Sequence, residues 1–78
     1  MKVYVITKYD NDFMDVSVEK VFEKKENAIK FLEEISKDNS INYIDLENGV
    51  VGTKVSSDEF SPFISYYKIH ESQIEDLI

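Results

Sequence analysis

The chain has 78 residues, with 16 acidic side chains against 9 basic ones, a net charge of -7 and no cysteine. That length allows a single domain, residues 1–78, with a small core. Without cysteine there is no disulfide, thiolate zinc site or cysteine nucleophile. The charge balance repels phosphate backbones, and every basic residue is a lysine, so no guanidinium fork is present to clamp phosphates or read guanine edges; direct nucleic-acid binding is not expected.

Residues 2–8, KVYVITK, alternate and are rich in β-branched and aromatic side chains, which predicts a first strand. Residues 9–13, YDNDF, read as a turn from their Asp and Asn content. Residues 14–22, MDVSVEKVF, predict a second strand returning antiparallel to the first, with Val21 and Phe22 breaking the alternation at a bulge or at the entry to the next element.

Residues 24–38, KKENAIKFLEEISKD, are the one strongly helical stretch. Ala28, Phe31, Leu32 and Ile35 form an apolar stripe, with Lys25, Glu26, Lys30, Glu33, Glu34 and Lys37 on the other side. Glu26 with Lys30 and Glu33 with Lys37 stand at the spacing of supporting ion pairs. No short polar residue caps the start, and Asp38 with Asn39 offers a left-handed exit.

Three further strands are predicted after the helix. Residues 41–46, INYIDL, are separated from residues 50–56, VVGTKVS, by Asn48-Gly49, a pair favoured in two-residue type I′ hairpins. Gly52 inside the return strand marks a bulge or a close approach. Residues 57–62, SDEFSP, read as a loop, residues 63–70, FISYYKIH, as the last strand, and residues 71–78 as a short helical turn with Ile74 and Ile78 inward.

The order ββαβββ predicts an α+β domain: a small antiparallel sheet with one amphipathic helix packed on one face. One short helix cannot cover five strands. Tyr4, Ile6, Ile64 and Tyr66 are therefore expected on an open face, where an apolar patch marks an interface and self-association is one consequence. No apolar run approaches the length of a membrane span or the layout of a signal peptide, so a cytoplasmic location without membrane contact is expected.

The chemistry-bearing residues form no catalytic pattern. Asp10, Asp12 and Asp15 resemble the start of a calcium loop, but the loop glycine is missing and Val21 stands where the bidentate Glu belongs, so no metal is expected. His70 beside Glu71, with scattered serines, lacks an oxyanion donor and a cleft, and Gly49 and Gly52 alone make no phosphate-binding loop; neither an enzyme nor a cofactor is expected. The acid distribution does carry functional content. Asp10, Asp12 and Asp15 fall in the first loop and Asp58 and Glu59 in a later one, so a cluster of these loops would make a negative surface able to dock on a basic groove.

Val3-Tyr4-Val5-Ile6, then Val21-Phe22 leading into Lys25-Glu26-Asn27-Ala28 with Phe31-Leu32, and finally Tyr66-Tyr67-Lys68-Ile69, resemble small uncharacterised bacterial and phage accessory proteins with a strand-strand-helix-strand core. The Asn48-Gly49 hairpin departs from that pattern, and no catalytic or binding residue carries over. Residue usage poor in Ala and rich in Ile, Lys and Asn fits an AT-rich source. The resemblance and the composition together imply an acidic protein-binding module that inhibits a host protein, such as a defence nuclease, by stoichiometric occlusion and nucleic-acid mimicry. Asp10, Asp12, Asp15, Asp58 and Glu59 would then supply the charge, and Tyr4, Tyr9, Phe60, Tyr66 and Tyr67 the buried anchors. Two alternatives stand beside it: a structural or regulatory homodimer, and a homo-oligomer sequestering a nucleotide or metabolite in a tyrosine-lined pocket between subunits, with Lys2, Lys8 and Lys68 against its phosphate.

Overall fold

The computed structural model describes residues 1–11, 14–55 and 62–74. Alternating β-branched and aromatic side chains yield strands β1 (Lys2–Asp10), β2 (Asp15–Phe22), β3 (Tyr43–Asp45), β4 (Val50–Lys54) and β5 (Phe63–Gln73), with helix α1 (Lys25–Ser36) between β2 and β3. The strands form one antiparallel sheet in the order β2-β1-β5-β4-β3. The fold is α+β, as the element order predicts.

The first and last strands are neighbours, paired from Lys2↔Gln73 to Asp10↔Ser65. Residues directly opposite one another in an antiparallel pair share a face of the sheet. The partners Ile6↔Ile69, Lys8↔Tyr67 and Val51↔Tyr67 therefore define one face, and Val5↔His70, Thr7↔Lys68, Tyr9↔Tyr66 and Val50↔Lys68 the other. The helix lies on the first. Ala28 and Leu32 of α1 close against Ile6 and Val51, all four fully buried, while Tyr4, Phe22, Phe31, Ile35, Ile41, Leu46, Tyr67 and Ile69 pack around them. Burying a side chain of the size of Leu32 or Ile6 contributes about 1.5–3 kcal/mol, so this small cluster is the main apolar support of the helix.

Tyr4 and Ile6 thus lie under the helix and not on the open face, whereas Tyr66 is on the open face. The prediction failed because alternation within a strand defines two faces but does not say which face of β1 matches which face of β5. The β1–β5 ladder is regular, but the two ladders that flank it each carry an irregularity. In β2 the register shifts so that Ile6 pairs with Lys20 and Thr7 with Val18, leaving Glu19 as the extra residue. In β5 it shifts so that Thr53 pairs with Ser65 and Lys54 with Phe63, leaving Ile64 extra. The first bulge brings Val21 onto the same face as Val18 and Val16; the second brings Phe63 onto the same face as Tyr66.

Other boundaries differ for local reasons. β1 runs on through Tyr9 and Asp10, which pair with Tyr66 and Ser65, where a turn was predicted. β5 continues to Gln73 in place of a helical turn, Ile74 is exposed, and residues 75–78 lie outside the described residues. The predicted loop over residues 57–62 is described only at Pro62. The hairpin at Asn48-Gly49 exists, but only Gly49 takes a positive φ, of 70°. Its four-residue connection is held by Gly49 N–H donating to Leu46 O and by the Asp45 carboxylate accepting from Asn48. The helix starts at Lys24 without a side-chain cap, as predicted, but leaves through a right-handed Lys37. Asp38 then accepts from the backbone N–H and the hydroxyl of Ser40, and Lys37 pairs with Glu34 at 3.0 Å instead of Glu33.

β3 is shorter than predicted because Asn42 continues the pairing with its side chain. Its backbone N–H donates to Gly52 O, its Nδ2 donates to Lys54 O at 2.9 Å, and its Oδ1 accepts from Lys54 N at 2.7 Å. Gly52 is a close approach: a Cβ there would stand 2.5 Å from Ser65 O and 2.6 Å from Tyr66 Cβ.

Truncating Leu32→Ala is expected to lower the unfolding free energy by about 3 kcal/mol, measured by urea denaturation, since it empties the centre of the helix contact. Gly52→Ala is expected to cost about 2 kcal/mol or more, because the atom it meets first is backbone and cannot swing away.

Candidate functional site

Three places can carry function: the sheet face away from the helix, the end of the sheet at the first hairpin, and a cleft beside the start of the helix. The open face is apolar along β2, where Val16, Val18 and Val21 are 59%, 64% and 55% exposed. Isolated exposed valines are ordinary on a protein surface; three on one face of one edge strand, beside Val5, are a patch.

Aromatic rings extend this patch across the sheet. Tyr9 lies 5.2 Å from Tyr66, Tyr66 5.0 Å from Phe63, and Phe63 5.2 Å from Tyr43, edge to face. These are favourable offset and tilted geometries for aromatic contact. Gly52, opposite both Tyr43 and Tyr66, leaves room between those side chains. Lys54 is buried in this group at 3% exposure, with its ammonium 4.6 Å from the Tyr43 ring centre and 5.2 Å from that of Phe63. The cation faces π-electron density, which offsets part of its lost hydration.

The carboxylates of the described strands are segregated. Register puts Lys54, Lys68 and His70 on the open face, and His70 Nε2 lies 2.9 Å from Thr7 Oγ1. The carboxylates of the described strands fall elsewhere: Asp10, Asp15 and Glu71 are in register with the helix-side residues, and Glu19 is bonded by Ser17 on that side. Asp45 is the exception, on the short edge strand β3. Its carboxylate turns back to accept two bonds from Asn48, which hold it below the ordinary carboxylate range.

At the first hairpin Asp10 and Asp15 stand directly opposite one another. β4 ends and β5 begins at this same end of the sheet, because β5 is antiparallel to β1 and β4 antiparallel to β5. Asp12, Asp58, Glu59 and Phe60 lie outside the described residues. Of the predicted anchors, Tyr9 and Tyr66 come together on the open face, while Tyr4 and Tyr67 pack under the helix. Lys2 pairs with Glu71 at 3.1 Å, which raises the lysine's pKa. Lys8 stands over Tyr67, also on the helix side, so Lys2 and Lys8 do not converge with Lys68.

The cleft, of about 180 Å³, lies where Tyr4, Ile69 and Leu46 meet Lys25, Glu47 and Glu71. Sequence reasoning missed Val16, Val18, Val21, Tyr43, Phe63 and Lys54. The valines were legible as an alternating run, but their exposure follows from β2 being an edge strand on the uncovered side. No family model, curated protein or solved structure matches the chain.

Asn42→Ala is expected to destabilise the β3–β4 edge by about 1–3 kcal/mol, since it strips the partners from the Lys54 backbone amide and carbonyl. Amide hydrogen exchange at Lys54 checks it, and unchanged protection there would show that the carboxamide does not hold this edge.

Proposed function

We propose that this chain is a small, acidic, non-enzymatic protein-binding module, of the kind a phage or prophage carries, which blocks a basic host protein such as a defence nuclease by stoichiometric occlusion. The observation that carries the reading is the pairing of Asp10 with Asp15 across the first hairpin. Two acidic residues directly opposite one another beside the turn concentrate negative charge at that end of the sheet. The connection that carries Asp58 and Glu59 in the sequence leaves and re-enters the sheet at the same end, which supports a shared negative surface. A partner with a basic groove complements it, and negative charge held at one end steers that encounter.

Sequestration of a small ligand within one copy is less well supported. The cleft of about 180 Å³ is smaller than the roughly 300 Å³ at which ligand pockets begin. Its two carboxylates, Glu47 and Glu71, also disfavour a phosphate.

The test is a pull-down with the full chain from a low-GC bacterial lysate at low and high ionic strength. A basic protein retained at low salt only, and lost when Asp10, Asp12 and Asp15 are changed together to Asn, is the expected outcome. Retention that ignores both salt and these substitutions would exclude occlusion by charge.

A further inference from the structure

The geometry points to a second copy of this chain as the occupant of the open sheet face, the two copies packing face to face as a two-layer β-sandwich. Three observations carry it. The patch is apolar where it is most exposed, at Val16, Val18 and Val21, and sheet faces of this kind are stable when another sheet covers them. Among the described residues the acids are nearly absent from this face, so two copies can meet there without setting those carboxylates against one another. A basic partner, by contrast, finds little to pair with there, since the charged groups of this face outside β3 are, among the described residues, Lys54, Lys68 and His70.

Area supports the same occupant. Five strands of three to eleven residues, at about 3.3 Å per residue and about 4.8 Å between strands, give roughly 550 Å² of flat face per copy. Two such faces, with their side-chain relief, bury more than about 1,000 Å² if they meet in full, which clears the least that a specific interface is expected to bury. Lys68 lies on the central strand of this face, opposite Thr7 and Val50, and the apolar stem of a lysine can pack in such a contact. The edge of β2 is a poorer contact, because the bulge at Glu19 interrupts the row of outward backbone groups that a second strand would need.

Sedimentation equilibrium of the full chain tests the proposal, with two single variants. A dimer is expected at micromolar concentration. Val18→Asp, on β2, and Lys68→Glu, on β5, are each expected to weaken it at least tenfold, because both put a carboxylate on the acid-poor face. Circular dichroism of each variant checks that the fold is kept, and Lys68→Glu, at an exposed position, keeps the test alive if Val18→Asp unfolds. A monomer at hundreds of micromolar overturns the proposal. So does a dimer that neither variant weakens, or one weakened by Val18→Asp alone, which would place the contact along the β2 edge. The result is separable from occlusion of a basic protein: that contact uses the hairpin acids, and it can persist or fail whatever the oligomeric state.

Discussion

The structure depends on the pairing of β1 with β5. These strands are the two ends of the described chain, yet they form the middle of the sheet, with β2 on one side and β4 and β3 on the other. Closing so long a loop has an entropic cost that grows slowly with length, and the hydrogen bonds of the longest ladder in the sheet repay it only when the whole ladder forms. The register of that ladder then settles the rest. Once Ile6 stands opposite Ile69, Tyr67 joins the face that the helix covers, and Tyr9, Tyr66 and His70 are committed to the other.

The helix gives the sheet its two unequal sides. Its apolar stripe is narrow, with Ala28 and Leu32 fully buried and Phe31 and Ile35 at the margins, so it shields the region around Ile6 and Val51 and little more. On the other side the same strands keep a row of valines in water and build an aromatic group around a lysine. That group is well determined: Gly52 gives it room, Asn42 holds the backbone of Lys54, and the rings of Tyr43 and Phe63 receive the ammonium. Among the described residues, this face thus combines an ordered aromatic group with exposed valines and carries few carboxylates. The acids at the first hairpin, Asp10 and Asp15, lie in register with the other face.

The helix stripe, the two hairpins and the element order were legible because each is local. A three-to-four-residue apolar period, Asn-Gly between apolar runs, and alternation over six or more residues report backbone geometry within one stretch of chain. The open face was legible as a necessity, since one helix cannot cover five strands, but its membership was not. Tyr4 and Ile6 look like exposed aromatic and aliphatic neighbours of Tyr66 in sequence, and the ladder puts them beneath the helix instead. Asn42 reads as an ordinary strand residue, and its use as a side-chain extension of the ladder follows only from where Lys54 arrives.

By itself, then, the sequence determined the fold class: an acidic α+β chain whose helix has an apolar stripe, with no thiol and no guanidinium. It also determined that some apolar surface would be left uncovered. Only the tertiary structure decided which residues form that surface, because a strand's alternation is symmetric between its two faces and the symmetry is broken by long-range register and by single extra residues. The bulges at Glu19 and Ile64 show the physical reason. Each inserts one residue into a ladder, and with a period of two that is enough to exchange the faces of every side chain beyond it.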